Sequence, residues 1–362
     1  MRIFAFHSLV PGVRFYRLTA PTKYLSSDYH HEIIFEDTSH QGLDSSGWQT
    51  KALEETFHGV LEQLMGNVDL IVTQLVHSDA ALAVLQGVRS FYGVPLVLDL
   101  DDNVENVPYY NRGSQVYTPD SGLLETTREL MDLVDAITVS TPYLAERMRQ
   151  YSDNIHVLPN SIDFELWDKP VQVPNKKSIR IGWAGAQTHE DDFKLVKPAL
   201  KEILRKYPNV RLYILGGVPD CLADFNHPRL VKKVVWYDIF DYPVRLKHWN
   251  FDIGIAPLRD NAFNRAKSNL RWLEYSAMGI PTVAGNVEPF SRSIAHGKTG
   301  MLAYEPDEWV ACLSELIEDK SMRLEIGQAA NDKVRRDYNM KRNARIWDSV
   351  YRGVVEQVEV PT

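Results

Sequence analysis

The chain predicts an α/β protein built of two doubly wound parallel sheets, and three observations carry that reading. Short apolar runs alternate with helical patterns from end to end. The runs are apolar throughout rather than at every second residue. One stretch without periodicity divides the pattern into halves of six strands each. Strands that read as continuous apolar runs are buried on both faces, the condition of a parallel sheet covered by crossover helices. A length of 362 residues suits two domains, each with its own core.

In the first half, apolar runs predict strands at Arg2–Phe6, His31–Phe35, Leu70–Gln74, Pro95–Asp99, Ala136–Ser140 and Ile155–Leu158. Helical spacing falls near Arg14–Leu25, Gln49–Met65, Asp79–Tyr92, Gly122–Leu133 and Pro142–Gln150. In the second half, strands are expected at Ile179–Ala184, Arg211–Leu215, Leu230–Trp236, Phe251–Ala256, Pro281–Ala284 and Met301–Tyr304. Helices are expected at Asp191–Lys206, Pro243–Trp249, Ser268–Met278, Asp307–Leu316 and Met322–Tyr338. The Pro- and Lys-rich stretch Glu165–Ser178 interrupts the rhythm. The expected domains are therefore 1–168 and 176–340, with a last helix inside 341–362 that packs back on the first domain.

Composition narrows the function. Apolar content of 44% with 24% charged residues is ordinary for a soluble globular chain, and a net charge of −8 disfavours nucleic acid as a partner. Cys221 and Cys312 form neither a disulfide framework nor a metal spacing, so a cytoplasmic setting is expected. No signal peptide or membrane span is read. Arg14, Arg17 and Lys23 with Phe15, Tyr16 and Leu18 allow a basic amphipathic helix, which keeps peripheral membrane contact open beside an ordinary first helix.

The segment Asp252–Gly285 is the most informative. A β-branched run ends in a loop holding Arg259, Asn264, Arg265 and Lys267, and a helix then opens at Ser268 and Asn269 and carries Glu274. Strand, cationic loop and helix N-terminus together suit a phosphate group. Ser268 or Asn269 would cap the helix. Lys267, Arg271 and Glu274 are spaced to share one helix face, with Glu274 able to accept ribose hydroxyls. The plainer alternative is a solvated helix with Arg271 and Glu274 as a surface pair. Since ligands in open α/β sheets bind beyond the carboxyl ends of strands, the other candidates are also post-strand loops. Gly12 follows the first strand; Gly185 and His189 follow the first strand of the second half; His77 follows the third.

Four segments together are similar to the group 1, or family-4, nucleotide-sugar glycosyltransferases. They are Pro159-Asn160-Ser161-Ile162-Asp163, Ile181-Gly182-Trp183-Ala184-Gly185, the run from Glu274 to Ala284, and His296-Gly297-Lys298-Thr299-Gly300-Met301-Leu302. The resemblance implies the GT-B fold, two facing Rossmann-like domains with a cleft between them. It implies transfer of a sugar, with retention, from a nucleoside-diphosphate donor of unresolved base, and it calls for no cofactor. The acceptor would be a glycan, a lipid-linked sugar or a small molecule. A nucleotide-sugar epimerase of the same fold and a non-catalytic carbohydrate- or partner-binding protein are the alternatives.

Within the resemblance Glu274 would bind the ribose and Gly12 would belong to a loop over the sugar and diphosphate. Two departures stand out. Ala266 occupies the place of a first glutamate, and the family's Arg and Lys after the first strand of the second domain are replaced by Gly185-Ala186-Gln187-Thr188-His189. Arg265 and Lys267 would supply the missing positive charge. Asp101 and Asp102 stand where a sugar-contacting histidine is common, and would orient hydroxyls or take the acceptor's proton. An Asp99–Asp101 metal site is the competing reading, set aside in favour of no metal. The long loop 103–122 presents Tyr109, Tyr110 and Tyr117 as acceptor candidates. Trp236 and Tyr237 are weaker candidates for flanking the base.

Overall fold

The computed structural model describes residues 1–6, 10–35, 68–74, 79–109, 111, 114, 117–172, 176–235 and 237–359. It contains two compact units. One comprises Met1–Val107, Gln115–Pro159 and Met340–Thr362; the other comprises Pro108–Ser114 and Asn160–Asn339. The predicted helix at Gln49–Met65, together with His77, Tyr110 and Trp236, lies outside the described residues.

The first unit is built on β1 (Arg2–Phe6), β2 (Glu32–Phe35), β3 (Leu70–Thr73), β4 (Leu96–Leu100), β5 (Ala136–Val139) and β6 (Ile155–Val157), in the order β2-β1-β3-β4-β5-β6. The second is built on β7 (Ile179–Gly185), β8 (Val210–Gly216), β9 (Leu230–Lys233), β10 (Ile253–Ala256), β11 (Thr282–Gly285) and β12 (Met301–Ala303), in the order β12-β11-β10-β7-β8-β9. Every neighbouring pair is parallel. Strands with all residues buried, such as β3, β4, β5, β10 and β11, explain why apolar runs without alternation marked them. In the second sheet the strand order reverses between β7 and β10, so the loops leaving those two strands flank the switch point, where such sheets bind ligands.

One helix fixes the β7 side of that point. Glu190–Lys206 buries Phe193, Val196, Leu200 and Ile203 on one face against the second unit's core. Each such side chain contributes about 1.5–3 kcal/mol of burial. The first turn of the helix is anchored as a result. Glycine is required beside it: Gly216 has φ +94°, and a Cβ there would lie 2.2 Å from the Gly185 carbonyl oxygen.

Several elements depart from the sequence reading. The first helix is Pro11–Arg14, a π-helical turn Phe15–Thr19, and Ala20–Tyr29. Pro21, which has no N–H to donate, follows the wide turn after Ala20. Phe15, Tyr16 and Leu18 are core residues and Arg17 is completely buried, so this is not a membrane-facing amphipathic helix. No helix among the described residues is long and apolar enough to cross a membrane. The aperiodic stretch begins with a short helix, Phe164–Trp167, capped by Asp163 and buried at Trp167. The helix expected at Ser268–Met278 is Leu270–Ala277, and the loop before it holds a further short helix, Ala262–Ala266, capped by Asn261. The last helix, Met340–Glu359, belongs to the first unit and packs on Ala20–Tyr29.

Candidate functional site

The second unit gathers most of the predicted residues around the loops that follow β7 and β10. At the end of β7, a Cβ on Gly185 would meet the Trp183 ring at 2.6 Å and Arg271 Nη2 at 2.8 Å. The missing side chain lets the Arg271 guanidinium lie against the strand end, 5.9 Å from the Trp183 ring centroid. Arg271 Nη1 donates to Glu274 Oε2 at 3.0 Å and to the Tyr242 hydroxyl at 3.2 Å; Tyr242 in turn donates to Glu274 Oε2 at 3.3 Å. Glu274 is only 4% exposed. This is no solvated surface pair. A carboxylate so enclosed is held by donors on one oxygen and is fixed in direction, as a hydroxyl-binding group must be. Burial, with the Glu274 charge adding to it, pushes the Tyr242 phenol well above its ordinary value, so the proton stays on the bridging hydroxyl.

Lys267 and the residues after it sit differently from the sequence expectation. Lys267 is in extended backbone between the two short helices, not on the Glu274 helix face. Its ammonium lies 4.4 Å from the Phe263 ring centroid. Neither Ser268 nor Asn269 caps the helix by its side chain. Asn269 is the N-cap residue but makes no side-chain cap bond. Its Nδ2 instead donates to Ser293 Oγ at 2.8 Å, while Ser268 Oγ accepts from Asn160 Nδ2 at 3.0 Å. The latter bond joins the Pro-Asn-Ser segment directly to the helix start. Arg265 forms a two-pronged pair with Asp260, at 2.5 and 2.7 Å, so this guanidinium already has a carboxylate partner. Ala266 is fully buried.

His189 immediately precedes the helix Glu190–Lys206. Its Nδ1 lies 2.7 Å from Asp192 Oδ2, and its ring meets Trp183 edge-on at 5.5 Å. Tyr237 accepts a hydrogen bond from Trp249 Nε1 at 3.3 Å. Among the described residues no group of three or more His, Cys, Asp or Glu is placed to hold a metal ion.

The first unit carries the remaining candidates. Gly12 lies in the helical turn Pro11–Arg14, and a Cβ there would meet nothing within 4 Å, so no close approach in this unit demands glycine. Asp99, near the end of β4, is consumed by structure: Arg17 donates to it at 2.6 and 3.1 Å, Gln74 at 3.1 Å and Thr138 at 2.7 Å. Arg17 also donates to the Leu158 carbonyl. The Asp99–Asp101 metal reading loses its first ligand to this network. Asp101 and Asp102 follow directly and are half-buried. Burial pushes the Asp101 carboxyl up, against the opposing charge of Arg17, a shift in the direction suited to a general base. Tyr117 is half-buried, and burial with the Asp102 charge raises its phenol. Tyr109 is 77% exposed and belongs to the second unit, so Tyr109 and Tyr117 are not assembled in one unit.

Sequence reasoning missed Asp192 and Tyr242. Tyr242 meets Glu274 from 32 residues away, and Asp192 meets the nearby His189 but also Arg259 and Asn264 far along the chain, contacts for which local spacing carries no signal.

Comparison with known proteins bears on the same segment. The family model for glycosyl transferases group 1 matches residues 178–319. A D-inositol 3-phosphate glycosyltransferase from Paenarthrobacter aurescens is 24% identical over 325 residues, covering 83% of this chain and 76% of that protein. A Bacillus subtilis protein named for a glycosyltransferase role in teichuronic acid biosynthesis is 25% identical over 175 residues; the match spans 45% of this chain and 43% of that one. The structure of Anabaena Alr3699/HepE in complex with UDP and glucose superposes with a TM-score of 0.66 at 15% identity, over 97% of this chain and 99% of that one. At that identity the likeness establishes the fold.

Proposed function

We infer, from the premise that this chain is a group 1 glycosyltransferase with the GT-B fold, that it moves a sugar from a nucleoside diphosphate to an acceptor hydroxyl with retention at the anomeric carbon. In that reaction the bond from the anomeric carbon to the diphosphate breaks, a bond to the acceptor oxygen forms, and the acceptor's proton passes to a base. The observation that carries the reading is the enclosed Glu274, held by Arg271 and Tyr242 within the family-matched segment. It is suited to the ribose hydroxyls. Lys267 and His189 are the proposed diphosphate ligands, with the backbone at Ser268 and Asn269 beside them. Arg265, paired with Asp260 through Nε and Nη2, would offer its remaining N–H groups to the diphosphate. Asp101 is the proposed group for orienting or deprotonating the acceptor, with Asp102 adjoining it. UDP is the first donor type to test, because a structure of the same fold holds UDP and glucose. A polyhydroxylated acceptor is favoured by the inositol phosphate and teichuronic acid named for the relatives.

Calorimetric titration of wild type and Lys267→Ala with UDP, GDP and ADP tests the donor site. One of the three should bind wild type, and loss of the ammonium should weaken it by about tenfold, the equivalent of about 1.4 kcal/mol. Equal affinities in the two proteins would remove Lys267 from the site. Binding without any turnover on a nucleotide-sugar panel, slow donor hydrolysis included, would favour the non-catalytic alternative that Ala266 permits.

A further inference from the structure

The side chain of Asp192 ties together the two loops that leave the switch-point strands. It is 1% exposed. Its Oδ2 faces His189 Nδ1 at 2.7 Å, while Oδ1 accepts from the Arg259 backbone N–H at 2.6 Å and from Asn264 Nδ2 at 3.1 Å. Asn264, equally buried, donates also to the Arg259 carbonyl at 2.9 Å, and its own N–H is capped by Asn261 Oδ1 at 2.8 Å. A buried carboxylate persists only where donors surround it. Here the donors come from His189 itself and from the loop that leads into Arg265 and Lys267.

The ring of His189 has little freedom in this setting. Its Nδ1 edge is turned to Asp192 and its edge contact with Trp183 limits rotation. Nε2, on the opposite edge of the imidazole, is the nitrogen that can reach a ligand, and in the charged ring its N–H donates to a phosphate oxygen. Charged groups on the elements around this ring include Asp192, Glu190 and Asp191 in the same helical turn, and Arg271, which lies 5.9 Å from the Trp183 ring centroid. We propose that Asp192 is the positioning residue of the donor diphosphate site: it aims His189 and braces the Arg259–Lys267 loop through one carboxylate. The inference rests on the donor-site reading given above and names a residue which that reading does not use.

A double-mutant cycle tests it, with UDP-glucose, GDP-glucose and ADP-glucose as probes and thermal midpoints recorded for every protein. Asp192→Asn keeps the acceptor for the Arg259 N–H but presents an amide to His189 Nδ1. It should weaken the wild-type probe by about tenfold. In a His189→Gln background the same change should cost only about threefold, the part transmitted through the loop. An equal loss in both backgrounds, or full affinity in Asp192→Asn, overturns the proposal. If Asp192→Asn does not fold, Asn264→Ala takes its place. It should weaken the probe by about threefold, and unchanged affinity overturns the inference through the loop arm. Wild type binding none of the three probes would remove the donor-site reading itself, a failure distinct from a wild type that binds and an Asp192→Asn that binds equally well.

Discussion

Each unit holds an arginine–carboxylate pair near the proposed functional loops, and the two pairs differ in how far solvent reaches them. Arg17 and Asp99 in the first unit are 0% and 1% exposed at their side chains, whereas Arg271 and Glu274 in the second are 21% and 5% exposed. Around Asp99 the donors Arg17, Gln74 and Thr138 are all buried. Around Glu274 the carboxylate is enclosed but its arginine reaches the surface, so a ligand can join the network without dismantling it. Enclosure alone therefore does not mark a site. What distinguishes the second pair is the partial exposure of its arginine, which the proposed donor site requires.

Breaking the closed pair should have the largest effect. Arg17→Met leaves Asp99 without its guanidinium and should cost about 3–5 kcal/mol of stability in denaturant unfolding. Arg17→Met with Asp99→Leu should recover most of it. A loss below about 1 kcal/mol for the single variant would show that the pair is not the staple its burial implies. Glu274→Gln probes the open pair. It should lower nucleoside-diphosphate affinity by about 10–100-fold, the range for losing a charged hydrogen-bond acceptor worth about 1.5–3 kcal/mol, with a smaller change in melting temperature than Arg17→Met. The reverse ranking, stability lost and binding kept, would make Glu274 structural.

The smallest effect concerns pH, again in the first unit. Burial lowers the affinity of His31 for a proton below its ordinary value of 6.5, despite the bond from Nε2 to Asp348 at 2.6 Å. Burial acts in the same direction on His156. In each case the unfolded chain takes up a proton before the folded one. Stability is accordingly full above pH 6.5 and declines as the pH falls through that value toward the lower folded ones. The melting temperature of wild type should drop between pH 6.5 and about 5, and His31→Gln should drop less. Parallel profiles for the two proteins would remove His31 as the source.

The strands were legible because parallel strands leave a continuous apolar imprint, and all twelve emerged within a few residues of their predicted bounds. The run around Glu274 was legible because strand, helix and glycine turn are local. The partners were not. Arg17 and Asp99 are 82 residues apart, Asp192 and Asn264 are 72, and Tyr242 and Glu274 are 32. Arg17 left a membrane-facing helix open beside an ordinary first helix, since a charge flanked by aromatics reads the same whether it is destined for solvent or for a buried carboxylate. The short helix at Ala262–Ala266 escaped notice because Asn261 starts it by a side-chain cap that hydrophobic spacing does not register.

The final helix carries a practical consequence. Ala344, Trp347, Tyr351 and Val354 line its buried face, Arg17 stacks 5.8 Å from the Trp347 ring, and Asp348 holds His31. The first unit is completed by a helix that follows the whole of the second unit's sheet in the chain. A recombinant fragment ending at Pro159 would expose the bed that these aromatics occupy and should aggregate, whereas joining 340–359 to it through a short linker, or permuting the chain, should yield a soluble piece.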